Sequence, residues 1–77
     1  MEGIDQALTA MDVRAALAQL QPVHRRVLVE IYYLGRSVAE VAELLNIPEG
    51  TVKSRTYYGL RKLKQLLLTA ESDEQAA

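Results

Sequence analysis

Apolar residues recur every three or four positions in four separate segments of this 77-residue chain, with polar residues between them. This spacing is typical of amphipathic α-helices, each of which buries one apolar side against its neighbours. The predicted helices cover residues 12–19, 22–34, 38–45 and 49–68. In the second of these, the residues that recur at helical spacing are Val27, Leu28, Ile31 and Leu34. The pattern therefore predicts an all-α fold, a small four-helix domain.

Local signals mark where the predicted helices start and stop. Gly35 supplies a left-handed stop for the second helix. Ser37 and Glu40 form an S-x-x-E capping box, which is a specific signal for a helix start. Asn46 can take the left-handed conformation at the end of the third helix, and Pro48 then precedes the fourth. A short helix, a tight turn and a second helix predict a helix-turn-helix.

The fourth helix has two different sides. At about 100° per residue, its apolar and small residues share one arc, which we expect to face the core. The members of that arc are Val52, Thr56, Gly59, Leu60, Leu63, Leu66 and Leu67. Gly59 costs about 1 kcal/mol relative to Ala inside a helix, so we expect it to permit close packing of another helix. Ser54, Tyr57, Tyr58 and Arg61 lie on the opposite side, flanked by basic residues.

Charge is distributed unevenly along the chain. The net charge of −1 does not by itself favour nucleic acid. Residues 49–64, however, contain five basic residues against Glu49 alone, whereas residues 65–77 contain three acidic residues and no basic one. Because local charge sets the attraction to phosphates, the fourth helix is the expected site of nucleic-acid binding.

Composition argues against several other classes of function. Cys is absent and His24 is the one histidine, so neither a disulfide nor a metal site is predicted, and no cofactor is expected. We expect His24 to be a solvent-exposed spacer. No catalytic residue is assigned and no enzyme is predicted, because no nucleophile, base and orienting group form a set. No apolar run approaches the roughly 18 residues of a membrane span. A cytoplasmic location without membrane contact is therefore expected.

The candidates for reading DNA bases lie near the start of the fourth helix: Lys53, Ser54, Arg55 and Tyr58. Arg and Lys side chains suit the acceptor atoms that guanine presents in the major groove. Glu49, Gly50 and Thr51 are expected to leave backbone N–H groups free for a phosphate, and Thr51 adds a hydroxyl. The alternative interpretation of the basic side is an ordinary solvated surface.

Other arginines precede the helix-turn-helix. Arg36 is placed for a backbone phosphate, whereas the adjacent Ser37 is fully explained as a helix cap. Arg25 and Arg26 either reach the flanks of the DNA or form ion pairs with Glu30. Both interpretations stay open from the sequence.

These motifs resemble region 4, the C-terminal domain of the extracytoplasmic-function sigma factors of bacterial RNA polymerase. The resemblance runs from about Ala15 to Leu67, which is most of the chain. It is carried by AALAQLQP, by HRRVLVEIYYLGRSVAEVAELLNIP, and by EGTVKSR with an aromatic and basic continuation. GTVKSR after a Pro-containing turn is its most specific part.

The resemblance implies that the second helix of the motif binds the minus-35 promoter element. By position, the four base-reading candidates fall where the family reads bases. The residues expected to contact the DNA backbone are Arg25, Arg36, Ser37, Thr51, Arg61 and Lys62. The implied partners are promoter DNA, the flap of the β subunit in the RNA polymerase core, and an anti-sigma factor that masks the domain.

The sequence departs from the family's usual pattern at two places. Tyr58, Gly59 and Leu60 stand where an Arg-Ala-Arg-like run is usual, which predicts a different promoter preference. Gln21 stands where Pro is common.

The resemblance also sets the expected organisation of the chain. We expect a flexible lead-in over residues 1–10, the region 4-like domain over 11–69 and a disordered acidic tail over 70–77. The sigma domain that melts the minus-10 element has no counterpart, so we expect a fragment of a longer factor. The alternative is a stand-alone dimeric helix-turn-helix repressor that uses residues 66–68 as its dimer surface.

Overall fold

The computed structural model describes the backbone of residues 13–76 and the side chains of residues 13–68. This part of the chain contains no β-strand, and its helices are α1 (13–19), α2 (Pro22–Leu28), α3 (Val38–Leu45) and α4 (Glu49–Ala76). α2 runs directly into a π-helical turn, Val29–Tyr33. The prediction of an all-α domain with four helices is confirmed. No helix in the described residues is long and apolar enough to span a membrane.

The π-helical turn makes the end of the second predicted helix wider than the sequence indicates. The Leu34 N–H donates to the Val29 carbonyl at 2.9 Å, and the Arg36 N–H donates to the Glu30 carbonyl at 2.9 Å. A π-helical turn takes in more residues than an α-turn, so later positions are shifted around the helix axis. Leu34, which helical spacing groups with the buried residues, is consequently 53% exposed. Gly35 then ends the helix with a φ of 72°, as predicted.

The helix-turn-helix forms with the predicted caps. The Ser37 N–H donates to Glu40 Oε1 at 2.9 Å, and the Glu40 N–H donates to Ser37 Oγ at 3.1 Å. Asn46 adopts the left-handed conformation with a φ of 56°. The Ile47 N–H donates to the Ala42 carbonyl at 3.0 Å. The left-handed Asn46 and the Ile47 bond end α3 after eight residues, and the chain then enters α4.

Three valines, one from each of three helices, form the centre of the domain. Val27 of α2, Val41 of α3 and Val52 of α4 are each 0% exposed. Ala42 lies beside this valine core, and the partly buried residues packed against it are Ile31, Val38, Leu45 and Ile47. Burial of a Val side chain contributes roughly 1.5–3 kcal/mol. The valine core therefore fixes which side of α4 faces inward.

α4 approaches α2 closely at the buried Gly59. A Cβ atom at Gly59 would lie 3.2 Å from Leu28 Cδ1 and 3.3 Å from His24 Cβ. The predicted role of Gly59 in close packing is confirmed. His24 is partly buried at this contact, so the prediction of an exposed spacer is wrong. Leu60, which was predicted to face the core, is 39% exposed.

The helical backbone of α4 continues to Ala76, well past the predicted end near Leu68. Neither Gly nor Pro follows Leu68, and the segment is rich in Ala, Glu and Gln, which favour helix. The backbone over 70–76 is thus helical, where the sequence predicts a disordered tail. The predicted lead-in over 1–10 and the last residue of the chain lie outside the described residues.

Candidate nucleic-acid interface

One side of α4 faces away from the valine core and is rich in basic and polar residues. We call it the outer side of α4: Ser54, Tyr58 and Arg61 face away from the core, Lys53 flanks them on one edge, and Arg55 and Lys62 flank them on the other. All of these residues except Arg55 are exposed. The predicted base-reading residues all lie within the first ten residues of α4: Lys53, Ser54, Arg55 and Tyr58. In a helix-turn-helix, the N-terminal residues of the second helix are those that reach base edges.

Packing on the opposite side keeps this orientation of α4 fixed. Val52, Thr56 and Gly59 follow one another at spacings of four and three residues along the inner side. Thr56 Oγ1 donates to the Val52 carbonyl at 2.7 Å, so the partly buried hydroxyl is satisfied within the helix. Since residues at such spacings share one side of a helix, Ser54 and Tyr58 must point the other way.

Arg55 differs from the other basic residues of the outer side because it is partly buried. Its side chain lines a cleft at the junction of α2, α3 and α4, together with Val23, Arg26 and Leu45. Long charged side chains commonly pack their stems on apolar surface while the charged group stays in water. Arg55 therefore has fewer conformations to lose when it binds a ligand.

Tyr58 is supported by its neighbour in sequence. The rings of Tyr57 and Tyr58 pack edge to face, with centroids 5.2 Å apart and an interplanar angle of 84°. Both side chains remain more than half exposed. This pairing was not predicted, because adjacent residues on a helix do not normally face each other.

Thr51 and Ser37 are engaged within the fold. The Thr51 N–H donates to the Pro48 carbonyl at 3.0 Å, so the prediction that this amide is free is wrong. Pro48 provides the carbonyl that accepts the first bonds of α4, which include one from the Val52 N–H at 3.2 Å. Ser37 Oγ is an acceptor in the capping box. The exposed Ser37 and the partly buried Thr51 stay predicted backbone contacts.

The arginines near α2 have specific partners. Arg25 Nη1 donates to the Ala18 carbonyl at 3.2 Å, which joins α2 to the end of α1. Arg26 Nε pairs with Glu30 Oε1 at 3.2 Å, and Arg36 Nε pairs with Glu30 Oε2 at 2.7 Å. The ion pair of Arg26 with Glu30 is confirmed, whereas Arg25 does not take part in it.

The burial of Glu30 and its bond to Arg36 were missed by the sequence analysis. The spacing of four residues between Arg26 and Glu30 indicated one pair. Nothing in the sequence indicated the second pair, because it forms across the π-helical turn and Gly35.

The capping box also sets the ionisation of Glu40. The Ser37 backbone N–H, which donates to the carboxylate, lowers the pKa of Glu40 from its ordinary value of 4.5. A side-chain bond to Ser37 adds to this effect, and the positive charge of Arg36 adds a smaller part. A carboxylate at the start of a helix is further favoured by the helix dipole.

Comparison with known proteins identifies the family. Residues 10–63 match the family model described as "Sigma-70, region 4", and this range includes every predicted site residue. The chain belongs to the sigma-70 region 4 family. The predicted resemblance to region 4 is thereby confirmed.

Two relatives of this region 4 domain are sigma factors of Mycobacterium tuberculosis. The chain is 45% identical over 64 residues, 83% of its length, to the ECF RNA polymerase sigma factor SigL. It is 39% identical over 62 residues, 80% of its length, to the ECF RNA polymerase sigma factor SigM. The matched segments span 36% of SigL and 32% of SigM. These similarities do not favour the alternative of a stand-alone repressor.

Proposed function

We propose that this region 4 domain binds the minus-35 promoter element through the outer side of α4. In this proposal it is the C-terminal domain of an alternative sigma factor and directs RNA polymerase to promoters in the cytoplasm. The observation that carries the proposal is an exposed basic side of α4 that begins directly after a helix-turn-helix turn. The opposite side of the same helix is packed on the valine core, so α4 can enter a groove without unfolding.

The four residues nearest the turn would read bases. Arg55 and Lys53 suit the guanine acceptors, and the Tyr58 ring offers an apolar surface to a thymine methyl group. Ser54 is small enough to let the helix approach the bases closely, and its hydroxyl can donate or accept.

The remaining basic residues would hold the DNA backbone. Arg61 and Lys62 lie one to two turns further along α4, where the groove wall of a duplex would pass. Arg36, Ser37 and Thr51 lie at the starts of the two helices of the motif, and Arg25 lies on α2. Phosphate contacts of this kind set the orientation of the protein without reading sequence.

Protein partners would use a different surface. An apolar cleft of about 210 Å³ lies between α1, the π-helical turn and α4. Its lining includes Leu17, Leu28, Tyr32, Tyr33, Leu60 and Leu63. Tyr32 is 64% exposed and Tyr33 is 80% exposed. Such a surface suits the flap of the polymerase β subunit, whereas an anti-sigma factor that masks the domain would cover the outer side of α4 as well.

Salt-dependent binding to selected DNA tests the proposal. Duplexes are first selected from a random library with this chain. Affinity for the best duplex, and for a scrambled duplex of the same composition, is then measured over a series of salt concentrations. We expect log K to fall linearly with log salt, by about 0.9 for each phosphate neutralised. Equal affinity for the two duplexes, or affinity that does not change with salt, would contradict the proposal.

A further inference from the structure

Among the described side chains, Glu30 is the charged residue that is buried, with 6% of its surface exposed. Both of its carboxylate oxygens accept hydrogen bonds, one from Arg26 Nε at 3.2 Å and the other from Arg36 Nε at 2.7 Å. A buried carboxylate is costly unless it is paired and hydrogen-bonded. The two arginines explain how the fold tolerates Glu30, but they do not explain what Glu30 does.

Glu30 holds Arg36 at two points. The Glu30 backbone carbonyl accepts from the Arg36 N–H at 2.9 Å, and the Glu30 carboxylate accepts from Arg36 Nε. The first of these bonds reaches from Arg36 back across the left-handed Gly35 to the π-helical turn. Arg36 directly precedes Ser37, the N-cap of α3. The first helix of a helix-turn-helix crosses the DNA backbone, so Arg36 stands where a phosphate is expected to pass.

The bond to Glu30 engages only one of the nitrogens of the Arg36 guanidinium. The N–H donors of the group lie in a rigid planar fork, so bonding Nε fixes the plane that contains the Nη atoms. The Arg36 side chain is 44% exposed, which leaves the group accessible to a ligand. A side chain that is already oriented loses less conformational freedom on binding.

We infer that Glu30 is a positioning residue for DNA binding, whose carboxylate orients Arg36 so that its Nη atoms donate to a DNA phosphate. The inference rests on the proposed function and adds to it an acidic residue that does not itself touch DNA. Arg26, bound to the other carboxylate oxygen, keeps Glu30 in place.

Glu30→Gln has two opposing effects on DNA affinity: it removes a negative charge, and it removes the group that orients Arg36. Removal of a negative charge from a protein that binds a polyanion raises the long-range attraction. Loss of the charge-assisted bond to Arg36 releases the guanidinium and lowers affinity. A fall in affinity after Glu30→Gln would therefore show that position outweighs charge.

The test is a double-mutant cycle with wild type, Glu30→Gln, Arg36→Ala and the double variant. Affinity for the selected duplex is measured over a salt series, at a temperature where thermal melts show each protein to be folded. We expect each single variant to bind roughly tenfold more weakly, the equivalent of one hydrogen bond to a charged group. Each should also reduce the slope of log K against log salt by about the contribution of one neutralised phosphate. The double variant should bind no more weakly than Arg36→Ala.

Glu43→Gln is the matched control, because Glu43 is an exposed acidic residue on α3. We expect it to bind DNA as tightly as wild type or slightly more tightly. Glu30→Gln binding as tightly as this control with an unchanged salt slope would overturn the inference. Losses that simply add in the double variant would overturn it as well, because Glu30 would then act without Arg36.

Two further variants separate the possible failures. If Glu30→Gln does not fold, the inference is tested with Arg36→Lys. This variant keeps the positive charge at position 36 but loses the planar guanidinium that Glu30 orients. We expect it to lower the salt slope as Arg36→Ala does, and a wild-type slope would overturn the inference. If Arg55→Ala weakens binding while the Glu30 and Arg36 variants do not, this inference alone fails. If Arg55→Ala also binds normally, the proposed function fails.

Discussion

At the scale of single residues, Arg55 illustrates how packing and charge combine on the outer side of α4. Its partly buried side chain lies beside Val23 and Leu45, whereas Lys53 is exposed. A guanidinium on a packed stem keeps one orientation better than an ammonium on a free stem. We therefore expect Arg55 to contribute more to sequence preference than Lys53.

Replacement of Arg55 by Ala should weaken binding to the selected duplex by about tenfold, as expected when a bidentate base contact is lost. The loss should be smaller for the scrambled duplex, because that duplex lacks the preferred base. Fluorescence anisotropy with a labelled duplex measures both affinities. Arg14→Ala is the control, since it removes the same charge from an exposed position on α1. An equal loss in the two variants would mean that Arg55 acts only through net charge.

Ionisation of Glu40 makes the stability of the capping box at the start of α3 depend on pH. Because the folded protein lowers the pKa of Glu40, the folded state binds its proton more weakly than the unfolded state does. The resulting stabilisation is present above the ordinary value of 4.5 and is lost as pH falls through the lowered value. The capping box should therefore weaken in acid.

Glu40→Gln separates this effect from the titration of other carboxylates. Gln at this position keeps the reciprocal hydrogen bonds of a capping box but does not titrate. We expect wild type to be more stable than Glu40→Gln near neutral pH, and the difference to shrink as pH falls below 4.5. Thermal unfolding over a pH series measures it. A difference that stays constant with pH would mean that the Glu40 charge does not stabilise the fold.

At the scale of helices, the position of α4 depends on its close contact with α2 at Gly59. The hypothetical Cβ distances of 3.2 and 3.3 Å are shorter than ordinary contacts, and the atoms involved belong to Leu28 and His24. Leu28 is 3% exposed, so it has little room to move. Two effects compete when a methyl group is added here. Ala gains about 1 kcal/mol of helix propensity, whereas overpacking costs about 1–3 kcal/mol.

We expect overpacking to win, so that Gly59→Ala lowers the free energy of unfolding by about 1 kcal/mol. Urea unfolding followed by circular dichroism measures the change. Gly50→Ala serves as the control, because nothing lies within 4 Å of a Cβ atom at that exposed position. It should leave stability unchanged or raise it slightly. Gly59→Ala that is more stable than wild type would show that α2 and α4 can separate at no cost.

The helix ends that local chemistry determines were predictable from the sequence. Gly35, the capping box of Ser37 and Glu40, and the left-handed Asn46 all depend on residues a few positions apart. The helical backbone past Leu68 was not predicted, because the acidic composition of this segment favours disorder whereas its Ala, Glu and Gln residues favour helix.

Features that depend on tertiary contacts could not be predicted in the same way. The π-helical turn changes the register after Val29, so helical spacing misplaced Leu34. The pairing of Glu30 with Arg36 forms only once that turn exists. For the candidate site, the sequence identified the residues of the outer side of α4, but it did not show that Arg55 is partly buried.

At the scale of the whole domain, the candidate surfaces for DNA and for protein lie on different sides of α4. The outer side carries Ser54 and Tyr58, whereas Leu60 and Leu63 line the apolar cleft. Residues 65–77 add only acidic charge, so repulsion from phosphates favours contact through the earlier part of α4. A protein partner in the cleft could therefore bind while α4 occupies a groove.

The central claim is that the outer side of α4 enters DNA, and an NMR titration tests it most directly. Backbone amide shifts of the ¹⁵N-labelled chain are followed as the selected duplex is added, with the scrambled duplex as control. We predict the largest selective changes at residues 51–58, with smaller changes at Arg36 and Ser37. Changes concentrated at Tyr32, Tyr33, Leu60 and Leu63, with residues 51–58 unaffected, would contradict the account.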